Sequence, residues 1–166
     1  MSLEEMYSIN CVTPSDINEH LPVLKEYADK CNHVTEMGVR GCVSLTAFLV
    51  SNAVEVVAID ILDVWTPYCE KLQFICADTL EIEIDNTDFL FIDTFHTYEQ
   101  LQKELELHAN KVNKYIGFHD IFMFGKNGET GGKGLMQAIK EFLNNNPEWS
   151  MCYHTQRNNG LMIISK

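Results

Sequence analysis

The amino-acid sequence predicts an α/β fold: a doubly wound, mostly parallel, Rossmann-like sheet of about seven strands, with helices on both faces and a C-terminal antiparallel hairpin. Three observations predict it. Short apolar or β-branched runs alternate with amphipathic stretches over most of the chain, the pattern of a parallel sheet with helical crossovers. Within runs such as Glu55 to Ile61 apolar residues follow one another without alternation, as in strands buried on both faces. Asn158-Asn159-Gly160 lies between the last two runs, and such residues suit a tight hairpin turn.

Taken in order, Ser15 or Asp16 caps a first helix running to about Lys30, with Leu21, Leu24, Tyr27 and Ala28 on one face. His33 to Met37 is a strand ended by Gly38. Gly41 to Ser51 is a helix with Val43, Ala47 and Phe48 inward. After the strand Glu55 to Ile61, the crossover Leu62 to Lys71 is short and contains Pro67, so any helix there is stunted. Leu72 to Ala77 and Asp88 to Asp93 are strands, joined by a loop or single turn over Asp78 to Thr87. Thr97 to Lys111 is an amphipathic helix and Tyr115 to His119 a strand. Met123 to Gly134, with five glycines, reads as a flexible surface loop. A helix from about Lys133 to Asn145 follows. Trp149 to His154 and Leu161 to Ser165 form the hairpin, which is expected to place one antiparallel strand at the sheet edge. The 166 residues suit a single domain spanning 1–166, without internal repeats.

Composition narrows the function classes. The 24 acidic and 12 basic residues give a formal charge of −12, which repels phosphate backbones, so nucleic acid is not expected as a partner. There is no basic amphipathic stretch for a membrane surface, and no apolar run reaches the roughly 20 residues of a span. The opening residues lack the basic start and apolar core of a secretory leader, so a cytoplasmic protein is expected. Six cysteines form no Cys-x-x-Cys pair and no zinc-site spacing with histidine. Reduced thiols are expected, with Cys42 and Cys76 as small core residues.

The candidate chemistry sits at strand ends, where sheets of this kind bind ligands. The first strand runs into Glu36-Met37-Gly38-Val39-Arg40-Gly41-Cys42-Val43-Ser44. Glycines there allow a sharp turn and a close ligand approach. A dinucleotide fingerprint needs a third glycine, which is missing, and Glu36 would repel a pyrophosphate while favouring a cationic group. Asp60 ends the second strand, where an acid accepts bonds from ribose hydroxyls. Asp78-Thr79 follows the third, where an adenine edge would lie. The fourth ends in Asp93-Thr94-Phe95-His96 and the fifth in His119-Asp120. Neighbouring strands bring Asp93, His96, His119 and Asp120 together. Carboxylates with an imidazole suit Mg²⁺ or Mn²⁺, and His96 is a candidate general base. The plainer alternative is a local His119–Asp120 ion pair with His96 capping the next helix. Gly128 to Gly134 fails the phosphate-loop pattern, since Asn127 and Gly134 replace its first glycine and its hydroxyl residue. It reads as a mobile lid.

With these motifs in place, the chain resembles the class I S-adenosylmethionine-dependent methyltransferases from about Asp16 to Ser165. It is similar to the small methyltransferase-domain branch, to cephalosporin-hydroxylase-like proteins and to metal-dependent macrolide sugar O-methyltransferases. The resemblance implies that Gly38, Val39, Gly41 and Ser44 cradle the methionine part of the cofactor beside Glu36. It implies Asp60 on the ribose and Asp78 with Thr79 at the adenine. It further implies a divalent metal on Asp93, His119 and Asp120, with His96 as base, although His119 stands where a relative has an acid. The glycine turn is one residue shorter than the common E-x-G-x-x-x-G, and added elements that shape a substrate pocket are not expected. Asp93-Thr94-Phe95-His96 replaces the Asp-Pro-Pro-Tyr of N-methylating enzymes, so the implied activity is O-methylation of a small-molecule or sugar-like acceptor. A homo-oligomer or a partner subunit stays open. The rival readings are a nicotinamide-dependent oxidoreductase and a non-catalytic, partner-dependent cofactor-binding domain.

Overall fold

In the computed structural model, which describes all residues 1–166, two helices precede the sheet: α1 (Leu3–Val12) and α2 (Leu21–Ala28). Then follow β1 (His33–Met37), α3 (Val43–Leu49), β2 (Glu55–Asp60), β3 (Leu72–Cys76), β4 (Thr87–Ile92) and α4 (Tyr98–His108). The chain ends with β5 (Val112–His119), α5 (Leu135–Asn145), β6 (Ser150–Thr155) and β7 (Leu161–Ser165). The seven strands order as β3-β2-β1-β4-β5-β7-β6. Pairing is parallel from β3 through β5, and β7 runs antiparallel to both neighbours. The expected hairpin is there, but its antiparallel strand is not at the edge. β7 lies inside, with all but Ser165 buried, and the exposed β6 is the edge. Four consecutive apolar residues in Leu161–Ile164, against the mixed Ser150–Thr155, are the sequence counterpart of that order.

Alternate residues of each strand feed two cores. On one face, Val34, Ala58, Phe89 and Phe91 pack under α2 and α3 through Leu21, Leu24, Leu45 and Phe48. On the other, Ile59, Leu90, Ile116 and Phe118 pack under α4 and α5 through Leu101, Leu105, Ala138 and Ile139. A Cβ on Gly117 of β5 would crowd the Phe89 and Phe91 rings, at 3.0–3.2 Å. No helix forms between β2 and β3, as expected from Pro67.

Three expectations are corrected. The first predicted helix is split: a short 3₁₀ turn, Asn18–His20, begins where the Asn18 amide donates to Ser15 Oγ, and α2 starts afresh with Pro22 in its first turn, where a missing N–H does no harm. α1 lies ahead of the predicted elements, opened by a reciprocal capping box between Ser2 and Glu5. Cys76 is exposed, because β3 is an edge strand, whereas Cys42 is buried as expected; all six cysteines are free. No helix is long and apolar enough to cross a membrane.

Candidate active site

The strand order reverses between β1 and β4. β1 pairs on one side with β2 and on the other with β4, so the crossovers leave in opposite directions and a crevice opens over the carboxyl ends. A cleft of about 560 Å³ lies there. Gly38, Val39, Gly41, Ser44, Asp60, Asp78, Thr79, Asp93, His96 and Asp120 all line it. Of the residues singled out in the sequence, only Glu36 and His119 lie beneath its surface.

The two glycines of the turn do different work. Gly38 has φ +85°, and a Cβ on it would stand 2.0 Å from the Asp93 carbonyl oxygen; the ends of β1 and β4 can approach only over a glycine. Around Gly41 no atom lies within 4 Å of a Cβ position, so its lack of a side chain keeps the cleft open. Arg40 and Cys42 also take positive φ, 42° and 59°, and Asp60 clamps this unusual backbone. Its Oδ2 accepts from the Val39 and Arg40 amides at 2.8 and 2.9 Å, and its Oδ1 from the Leu62 amide at 2.9 Å. Those amides outweigh the effect of burial and hold the Asp60 carboxyl below its ordinary range. Glu36 is fully buried and reaches the cleft only through Ser44, whose hydroxyl donates to one carboxyl oxygen. The other oxygen has no partner, and burial pushes the Glu36 pKa well up, aided by Asp93 and Asp60.

On the far side of the cleft, Thr79 turns its hydroxyl away, into a buried network. Glu104 of α4 accepts from Thr79 at 2.6 Å, Thr94 at 2.9 Å and Gln100 at 2.9 Å. One buried carboxylate thus ties the loops after β3 and β4 to α4. Removing it would leave three donors without it, a loss of about 1–3 kcal/mol for each one buried and unsatisfied.

Asp93, His96, His119 and Asp120 do converge. His96 Nε2 lies 2.8 Å from Asp120 Oδ2 and 3.5 Å from Asp93 Oδ1. His119 Nδ1 lies 3.2 Å from Asp93 and 3.3 Å from Asp120, and its Nε2 is 3.0 Å from the Asp16 carbonyl. Asp120 itself takes a left-handed conformation, φ 58°, and its Oδ1 is buried without a partner. The cap of α4 is Thr97, not His96. For both histidines burial opposes the charged form, but hydrogen bonds to Asp120 and Asp93 prevail and raise each pKa to about 10. Both aspartates are correspondingly depressed in spite of burial.

The sign of the pH dependence follows. Raised histidine pKa values contribute stability that is full below 6.5 and lost as pH climbs through about 10. The depressed aspartates contribute above their ordinary range and lose it in acid. In chelator, the melting temperature should therefore fall steadily between pH 6.5 and about 10. A flat profile across that window would contradict the ion-pair geometry.

Several site residues escaped the sequence reading. Asp16 and Ile17 form one wall of the cleft, although no amino-terminal wall was expected. Arg40 pairs with Asp16 at 2.7 Å, and Asn158 of the hairpin donates to the Ser15 carbonyl at 2.7 Å. The glycine-rich stretch is also more built than a free lid. Gly125 and Gly134 are places of close backbone approach, where a Cβ would meet carbonyl oxygens at 2.0 and 2.3 Å. Asn127 and Lys133 bridge across it. A second hollow of about 330 Å³ lies over Trp149 between α4 and α5, away from the strand ends.

No protein-family model matches the chain, and neither does any curated protein. Solved structures do match in fold. The O-methyltransferase TomG from Streptomyces achromogenes, in complex with S-adenosylmethionine, superposes with a TM-score of 0.66 at 10% identity, over 98% of this chain and 88% of its own. The O-methyltransferase from Bacillus cereus, in complex with S-adenosylhomocysteine, gives 0.62 at 15% identity, over 99% and 90%. The N-methyltransferase NodS from Bradyrhizobium japonicum gives 0.59 at 11% identity, over 90% and 94%. The chain thus shares the Rossmann-like fold of these methyltransferases. Because an N-methyltransferase shares it, the fold alone does not select the acceptor atom.

Proposed function

We propose that the protein is a single-domain, S-adenosylmethionine-dependent methyltransferase acting on a hydroxyl oxygen of a small acceptor, with a divalent cation at the site. The observation that carries this reading is the meeting of Asp93, His96, His119 and Asp120 beside an acid-lined cleft over the switch point. Asp16, Asp60, Asp78, Asp93 and Asp120 outnumber the basic residues of the lining, Arg40 and His96. That surface favours a sulfonium and an ammonium group and repels a pyrophosphate, which weighs against the nicotinamide alternative. Asp60 has its lone pairs partly used by backbone amides, so it would meet a ribose hydroxyl chiefly through Oδ1.

The residues fit a hard divalent ion. Asp93, His119 and Asp120 offer one ligand atom each within 4.8 Å of one another, and the partnerless Oδ1 of Asp120 is an acceptor in want of a cation. His119 Nε2–H would donate to the Asp16 carbonyl and leave Nδ1 for the ion, the usual outer support of a metal-bound histidine. Such an ion supplies a Lewis acid that lowers the pKa of a bound hydroxyl. Asp93 and Asp120, if engaged in holding it, would no longer hold the His96 proton. His96 would then accept the hydroxyl proton at Nε2, while the turn from Gly38 to Ser44 fixes the methyl donor in line.

Incubation with S-adenosylmethionine tritiated in its methyl group, Mg²⁺ and a panel of phenols, sugars and amines tests the reading. Label should pass to oxygen and fall on adding chelator. Transfer to nitrogen, or transfer indifferent to chelator, would sink the oxygen or the metal assignment respectively.

A further inference from the structure

The glycine-rich stretch reaches the site through one residue. Gly128 passes so close to His96 that a Cβ on it would stand 3.2 Å from the His96 carbonyl oxygen and 2.9 Å from that of Lys133. This approach delivers Glu129. The Glu129 amide donates to the His96 carbonyl at 2.8 Å, and its Oε2 lies 2.9 Å from His96 Nδ1 and 3.4 Å from the His96 amide. From the same β5–α5 connection, Phe124 stacks on the imidazole, with centroids 4.7 Å apart and planes 11° from parallel. His96 is thus gripped at its backbone, on its ring face and at Nδ1. Nothing in the reaction as drawn uses Glu129.

We propose that Glu129 is a positioning residue for His96: its carboxylate accepts the Nδ1 proton and, with Phe124 against the ring, aims Nε2 at Asp93 and Asp120. A carboxylate can only accept, so the ring nitrogen facing it must carry the proton. With Nδ1 committed and the ring unable to rotate, Nε2 is the nitrogen presented where the acceptor hydroxyl would dock. The inference rests on the methyltransferase reading for its consequence in catalysis, but its geometry stands apart from it. It also gives Gly128 a reason: a close-running backbone there brings a carboxylate from beyond β5 onto a histidine that follows β4.

The test uses the full chain labelled with ¹⁵N-histidine, as wild type, Glu129→Gln and Glu129→Ala. In wild type the His96 Nδ1 proton should appear as a downfield, slowly exchanging resonance. Glu129→Gln, which keeps an acceptor and drops the charge, should retain it; Glu129→Ala should lose it. With S-adenosylmethionine, Mg²⁺ and catechol as probe acceptor, Glu129→Ala should lower kcat about tenfold while the catechol KM stays within about twofold, and Glu129→Gln should recover most of the loss. An unchanged resonance in Glu129→Ala overturns the proposal whether or not catechol is turned over. Titration of wild type with S-adenosylhomocysteine separates the two readings: absent binding removes the methyltransferase function, whereas binding with an unchanged resonance removes only the role of Glu129.

Discussion

Gly38→Ala should destabilise the protein by about 3 kcal/mol, the sum of a left-handed alanine and a steric clash. On a chain of this size that lowers the melting temperature by roughly 6–12 °C. The added Cβ would stand 2.0 Å from the Asp93 carbonyl oxygen, so relief requires the ends of β1 and β4 to separate. Those ends are the floor of the cleft, and Asp93 would move with them. Gly41→Ala is the informative contrast. Its Cβ meets no protein atom within 4 Å, so the melting temperature should stay within about 1 °C, while affinity for S-adenosylmethionine falls about tenfold as the methyl intrudes on the cleft. Thermal melts and cofactor titrations of both variants check the pair. Equal stability for the two would contradict the close approach at Gly38, and unchanged affinity in Gly41→Ala would move the cofactor elsewhere.

His96→Ala should reduce methyl transfer by about 10²–10⁴-fold, the usual worth of a general base. Cofactor affinity should change by no more than about twofold, because the cofactor cradle lies on the β1 and β2 side of the cleft. His96 is the one imidazole of the cluster that lines the cleft, whereas His119 is closed off beneath the two aspartates. Single-turnover assays would read the chemical step free of binding and release. A variant with full turnover would remove His96 as the base and leave it the lesser task of neutralising Asp120.

Much of this was legible in the sequence, for identifiable reasons. Strands such as Glu55–Asp60 are legible to within a residue because apolar runs buried on both faces carry a strong local signal. The convergence of Asp93, His96, His119 and Asp120 was legible because adjacent parallel strands end at one side of a sheet, so residues just past them must meet. α1 was missed because it buries no residue fully; the Ser2–Glu5 capping box and the spacing of Leu3, Tyr7 and Cys11 were the available signals. The interior place of β7 was signalled only by the apolar run Leu161–Ile164, set against the mixed Ser150–Thr155. Pairs such as Arg40–Asp16 and His96–Glu129 span 24 and 33 residues of chain, and only the fold brings them together. The glycine-rich stretch was read as slack because composition cannot distinguish a glycine chosen for freedom from one chosen for close passage.

The central claim is that the cleft over the β1/β4 switch point takes S-adenosylmethionine. Calorimetric titration of the purified protein, in parallel with S-adenosylmethionine and with NAD⁺, each with and without Mg²⁺, tests it most directly. The account predicts 1:1 binding of the sulfonium cofactor at micromolar affinity, little change in that affinity with Mg²⁺, and no heat with NAD⁺. Binding of NAD⁺ in place of S-adenosylmethionine, or of neither, would contradict it.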